Sequence, residues 1–183
     1  MQYERVCTVI THPAVPIALS VFLPPDIAST SLLLAGAACS VIPDIDVIGF
    51  SFGIKSSHTF GHRGFTHSVP FAALLAGITT LIAFSGDHGS PVAVFSFLFL
   101  STLSHPLLDA LTNGGTGVGL FIPFNNQRYF FPWRPIEVSP IGVAPFLSRR
   151  GLAVLRSELI WVWLPSAALF ALGLLFKRAR DVI

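Results

Sequence analysis

The sequence predicts an all-α integral membrane protein, a bundle of four to five transmembrane helices whose two long polar loops lie on one side and form a His/Asp metal site. Three observations predict it. Hydrophobic residues make up 52 % of the 183 and charged residues only 11 %, where a soluble domain carries about 25 % charged; mean hydropathy is +0.73. Five stretches of 17 to 21 residues lack Asp, Glu, Lys and Arg, against the roughly 20 residues that span a bilayer core. The His and Asp residues gather at the ends of those stretches.

The same composition excludes other classes. A soluble globular enzyme needs more polar surface, and disorder needs far less apolar content. With a net charge of +2 and a pI near 8.8, no dense basic patch offers itself to nucleic acid. Cys7 and Cys39 both lie in apolar runs, so neither a disulfide framework nor a zinc-finger spacing is present. One membrane-embedded domain over residues 1–183 is expected.

In chain order, Val6–Pro25 is the first apolar stretch, interrupted by His12, Pro13 and Pro16; it reads as a tilted, kinked or partly buried helix. It is not read as a signal peptide, because Glu4 accompanies Arg5 and no small-x-small cleavage site follows. Ile27–Pro43, Ser68–Gly86, His88–Leu108 and Leu159–Phe176 read as spanning helices, which satisfy their own backbone as lipid demands. Asp44–His67 and Thr112–Ser157 are the two polar loops. An even number of crossings separates them, so they share a side. The other side has short turns near Asp26 and Asp87 and the basic tail from Lys177. Arg149, Arg150 and Arg156 compete with that tail under the positive-inside rule, and the loops are expected to be cytoplasmic.

Five of the six histidines lie at helix ends facing the loop side. His105 and Asp109 are four apart and share a helix face. An ionised carboxylate in an apolar span needs compensation, which a bound cation or a helix-locking His–Asp hydrogen bond can supply. Asp44 and Asp46 follow the second helix; in extended backbone they point the same way, either toward a cation or as a solvated turn. His62 and His67 flank Arg63 and Gly64, with Thr66 expected as an N-cap and Pro70 in the first turn. Gly64 lets the loop fold back and brings His62 to the site. Arg63 suits an anion clamp, since a guanidinium binds phosphate bidentately. His12 is a lone histidine, either a buried hydrogen-bonded residue or a ligand. His58 and His88 read as loop residues without a role. Imidazole plus carboxylate without thiolate suits a divalent metal, Zn²⁺ first, Mn²⁺ or Fe²⁺ next.

The glycine-rich run Asn113–Gly119 lacks the Lys-Ser/Thr of a phosphate loop, and no Gly-x-Ser-x-Gly elbow exists. The run reads as a mobile connection to Phe121, Phe124, Tyr129, Phe130, Phe131 and Trp133, interleaved with Arg128 and Arg134. This aromatic segment is either an interfacial anchor or a lid over the site.

The ordered set Pro43-Asp44-Ile45-Asp46, His62-Arg63-Gly64-Phe65-Thr66-His67-Ser68, Ser104-His105-Pro106-Leu107-Leu108-Asp109 and Arg128-Tyr129-Phe130-Phe131-Pro132-Trp133-Arg134-Pro135-Ile136 resembles the YdjM-like family of bacterial inner-membrane proteins, described as metal-dependent hydrolases. The resemblance covers most of the chain. It implies a multi-pass protein of the bacterial inner (cytoplasmic) membrane. By it, Asp44, Asp46, His62, His67, His105 and Asp109 are the metal and catalytic positions, and His12 matches an N-terminal Thr-His element. More distantly the pattern is similar to that of zinc-dependent phospholipases C, whose later His/Glu ligands have no counterpart here apart from Glu137 and Glu158.

The expected function is a membrane-bound metallohydrolase acting on an amphiphilic phosphoester, a phospholipid or a lipid-linked phosphate, by a metal-activated water. Asp46 would serve as general base or bridging ligand and Arg63 would hold the anionic group. Membrane lipids are the expected partners; nucleic acid is not. The alternative is a non-catalytic membrane protein with a structural metal or a partner-docking surface. A metal or proton translocator ranks last, because only His12 lies deep in a helix.

Overall fold

The computed structural model describes residues 5–6, 8–86, 89–140 and 146–181. The turn reading at Asp87, His88 and the side chain of Cys7 fall outside them. The architecture is helical throughout its core. Helix α1 is Ala14–Ser20, α2 Thr30–Cys39, α3 Val69–Ala83, α4 Pro91–Ala110, α5 Arg149–Glu158 and α6 Leu164–Asp181. A π turn, Leu159–Trp163, joins α5 to α6, and 3-10 helix covers Ile42–Phe52 and Phe65–His67. A two-residue antiparallel pair, β1 Arg5–Val6 with β2 Ser139–Pro140, ties the N-terminal segment to the second loop.

Among the described residues, three helical segments are long and apolar enough to cross a membrane: Thr30–Phe52, Pro91–Ala110 and Arg149–Ala179; Val69–Ala83 is apolar but shorter. The first expected span is cut down to the seven residues of α1, about 10 Å at 1.5 Å per residue. Its cause is local: His12-Pro13 is taken up in a turn, and Pro13 starts the helix rather than continuing one. The last span is longer than expected, because α5 adds a polar turn region before the apolar run.

Serines start most of these helices. Ser29, Ser68, Ser90 and Ser148 each accept a backbone N–H of the first turn, satisfying donors that have no partner within the helix. Thr66 was the expected cap of α3; Ser68 takes that place, and Thr66 turns to Asp46.

Helix α4 is the central element. It packs along α3 and also touches α1 and α2, while α1 leans on α6. Leu32, Ala76, Val94, Phe97 and Leu98 form the core between α2, α3 and α4. A Cβ at Gly36 would overlap the Phe97 ring, so glycine sets how closely α2 approaches α4. Outward faces carry exposed Leu34, Leu81, Ile82, Leu172 and Phe176. Such a belt suits lipid and would be a liability in water.

The two polar loops meet. Gly119 N–H donates to the Arg63 carbonyl at 2.8 Å, Val69 N–H to Leu120 O at 2.9 Å, and Arg128 to His58 O at 3.0 Å. They therefore share one end of the bundle, as expected of loops on one side.

Candidate metal centre

The centre is built on the C-terminal half of α4. His105 and Asp109 lie one turn apart there, both buried, and the His105 Nε2 is 3.8 Å from Asp109 Oδ2. The other nitrogen, Nδ1, is 2.8 Å from the carbonyl of Ser40, the residue that ends α2. A carbonyl only accepts, so Nδ1 carries the proton and Nε2 offers a lone pair.

His67 is fixed by the same logic. Thr66 donates its hydroxyl to Asp46 Oδ2 at 2.6 Å. His67 Nδ1 lies 3.1 Å from both that hydroxyl oxygen and Asp46 Oδ2, so it must donate. Its Nε2 is then a lone pair as well, and it sits 3.0 Å from His105 Nε2. Asp44 Oδ1 lies 3.6 Å and 3.3 Å from these two nitrogens, and Asp109 Oδ2 lies 3.3 Å from that of His67. Neither Asp44 oxygen nor Asp109 Oδ2 has a hydrogen-bond partner. Four acceptors thus converge without a donor between them. Only a proton or a cation can occupy that point.

Among the described residues, two overlapping sets fit a metal ion. Asp44, His67, His105 and Asp109 form one and Asp44, Asp46, His62 and His67 the other, with the ligand atoms of each within 4.8 Å of one another. Four N/O donors match a zinc-type shell. The sets share Asp44 and His67, so the cluster accommodates one ion with a supporting layer or two ions side by side.

The 3-10 helix explains how Asp44 and Asp46 divide the work. Extended backbone would have pointed them the same way. At three residues per turn they diverge instead: Asp44 faces the Nε2 edge of His67, and Asp46 the Nδ1 edge. Asp46 also accepts the Arg63 backbone N–H at 3.1 Å and lies 2.7 Å from His62 Nδ1. This leaves His62 Nε2 buried and unpartnered. Burial alone would lower the pKa of His67. The Asp109, Asp44 and Asp46 carboxylates around it outweigh burial and raise it well above the usual 6.5.

The loop between the histidines folds back as glycine allows. A Cβ at Gly64 would strike the Thr59 carbonyl oxygen. The preceding residue, Arg63, takes a left-handed φ of 61°, a conformation that costs a non-glycine residue about 1–3 kcal/mol and recurs at functional sites. The expected anion clamp is arranged differently. Arg63 is fully buried; its guanidinium donates to Asp109 Oδ1, Thr112 Oγ1 and the Gly114 carbonyl at 2.9–3.0 Å. It holds Asp109 in place, and no face of it is open to a substrate anion in this conformation. The glycine-rich run is likewise not a loose connection: Gly114 accepts from Arg63, and Val118 pairs with Tyr129.

His12 joins from the N-terminal turn, its ring stacked on His105 with centroids 3.7 Å apart. It belongs to neither four-residue set. His58 stays exposed, its Nδ1 accepting the Phe60 N–H. Two residues of the site had other readings. Arg128, taken as part of an interfacial segment, donates to the carbonyls of His58, His62 and Arg63 and so holds the histidine loop from behind. Glu158 is buried against Thr8 and Thr11; the sequence signal for it is a single carboxylate at the head of an apolar run. The aromatic loop residues Phe124 and Trp133 are exposed, and Arg134 lies over the Phe130 ring at 4.8 Å.

A family model described as YdjM inner membrane protein matches residues 7–180. Inner membrane protein YbcI of Escherichia coli (strain K12) is 40 % identical over 173 residues, covering 94 % of this chain and 99 % of that relative. No solved structure matches.

Proposed function

The chain belongs to the YdjM family of inner membrane proteins, and we propose that it acts in the bacterial inner membrane as a metal-dependent hydrolase of an amphiphilic phosphoester, a phospholipid or a lipid-linked phosphate. One observation carries the reading: the Nε2 lone pairs of His67 and His105 converge with Asp44 and Asp109 oxygens that have no other partner. A divalent metal held there, zinc first, supplies a Lewis acid and an activated water.

The chain's own residues divide the remaining tasks. His67, His105, Asp44 and Asp109 hold the ion, and His62 and Asp46 either hold a second or support the first. Asp46 and Ser40 fix the His67 and His105 tautomers from behind. Arg63 fixes Asp109. Asp44 has the least enclosed side chain of the four, 8 % exposed against 0–1 % for the others, although both its carboxylate oxygens are buried. The loops that carry the centre face the cytoplasm on this reading, because Arg149, Arg150 and Arg156 stand beside the start of the last span.

A second reading is favoured by burial. His67 and His105 are fully enclosed, as in a structural metal site, which is closed where a catalytic one keeps a position open. The test is to offer metal-loaded protein phospholipids and lipid-linked phosphates and follow product release. Turnover that disappears with chelator and returns with metal supports the hydrolase; full metal content without turnover on either substrate class supports the structural site.

A further inference from the structure

Glu158 ends α5 where the chain enters the π turn, and it is 1 % exposed. A carboxylate at the head of an apolar span needs donors, and the N-terminal segment supplies them. Thr8 donates its backbone N–H to Oε1 at 2.8 Å and its hydroxyl to Oε2 at 2.5 Å; the Thr11 hydroxyl donates to Oε2 at 2.8 Å. Trp163, at the far end of the π turn, donates its indole N–H to Thr11 Oγ1 at 3.1 Å. Glu158 and Trp163 are five residues apart, the π repeat, and meet on one threonine. Such turns give up regular helix geometry and recur at functional sites.

The residue after Thr11 is His12. Its ring lies nearly parallel to that of His105, at 18°, and both its nitrogens are buried without a hydrogen-bond partner. No polar contact of its own fixes the ring. Its place is set by stacking and by the backbone of the turn that Glu158 holds.

We propose that Glu158 is a positioning residue for the metal centre. By anchoring the Thr8–Thr11 turn it seats the His12 ring on the face of His105 and so holds the His105 imidazole in line with the donors of Asp44, His67 and Asp109. The inference rests on the metal reading above.

Cobalt(II) tests it, through its visible absorption spectrum and its dissociation constant in the detergent-purified full chain. Glu158→Leu removes the acceptor. It should shift the spectrum in the same direction as His12→Ala and weaken cobalt binding about tenfold, the low end for groups behind a ligand. Glu158→Gln keeps an oxygen for the Thr8 N–H, and the two hydroxyls can turn to accept from its amide; it should restore most of the wild-type spectrum. The double variant Glu158→Leu, His12→Ala should bind no more weakly than His12→Ala alone, because both changes act through one residue. Additive losses would overturn the proposal. So would a lower melting temperature for Glu158→Leu with cobalt spectrum and affinity unchanged, the mark of a plain structural tie. Should Glu158→Leu fail to fold, Trp163→Phe removes one bond to Thr11; a smaller shift in the same direction supports the proposal, and no shift overturns it. Failure of the wild-type chain to bind cobalt would instead remove the metal reading itself.

Discussion

His67 and His105 face each other nitrogen to nitrogen, Nε2 to Nε2 at 3.0 Å. Asp46 with Thr66 behind one ring, and the Ser40 carbonyl behind the other, direct both protons away from that gap. Two lone pairs at this distance repel unless something positive lies between them.

The first expectation follows from that gap. Purified protein should carry one to two equivalents of a divalent transition metal by elemental analysis. His67→Ala, His105→Ala and Asp109→Ala should each cut the content to roughly a tenth or less, since ligand loss opens the shell. His58→Ala should leave it intact. A His105→Ala, Asp109→Ala double variant that kept its metal would exclude the centre.

Acidity should act in opposite directions on the two forms. In metal-free protein the folded state holds a proton on His67 more tightly than the unfolded chain does, because its pKa is raised. Stability from that proton is complete below the unfolded value near 6.5 and is lost as pH rises through the higher folded value. A bound metal would take the proton's place, so metal affinity should instead fall as pH drops. Melting curves with chelator and with zinc, from pH 5.5 to 8.5, would check both; parallel trends would contradict the scheme.

Arg63→Ala leaves Asp109 buried without its cation. Breaking a buried pair from one side costs about 3–5 kcal/mol, and metal content should drop with stability because Asp109 loses its orientation. Arg63→Lys should restore little, since one ammonium cannot reach Asp109, Thr112 and Gly114 in the same fork. Unchanged melting and metal content in Arg63→Ala would return the guanidinium to the role of a substrate clamp.

Arg128→Ala should weaken metal binding about tenfold with a smaller loss of stability than Arg63→Ala, because its partners are loop carbonyls near water. Titration with zinc under a competing chelator measures it. Equal affinity in variant and wild type would mean that the histidine loop holds its shape unaided.

Cysteines placed at Lys55 and Gln127, both exposed, should label from the same side of the membrane, and the protein should stay in the membrane pellet through alkaline carbonate. Labelling from opposite sides would contradict the contact between the two loops.

The helices, the shared side of the loops and the His/Asp cluster were legible because each leaves a local mark: an apolar run, a charge-free segment, a four-residue spacing on one helix. The errors lie where geometry is set by something distant. Asp44 and Asp46 read as parallel in extended chain and diverge in 3-10 helix, which no spacing announces. Arg63 looked free beside two imidazoles because Asp109, its partner, is 46 residues away. Arg128 sits among aromatics, and its contacts to His58 and His62 exist only once the loops have met. The seven residues of α1 show that Pro13 begins a helix rather than bending one.

The last helix also sets a depth. From Arg149 to Ala179 it has 31 residues, about 46 Å at 1.5 Å each, against a hydrocarbon layer of about 30 Å. Its uncharged part, Leu159–Phe176, comes to about 27 Å and fills that layer almost alone. With that part across the layer, Glu158 would stand at the boundary where acyl chains give way to glycerol and phosphate. His12 follows the threonine bonded to Glu158 and touches His105, so the His/Asp cluster would lie near the same plane. The ester and phosphate groups of a lipid already reside there. On the proposed reading, a lipid substrate would come to the centre by moving sideways within its own leaflet, whereas a water-soluble phosphoester would have to leave water to reach it.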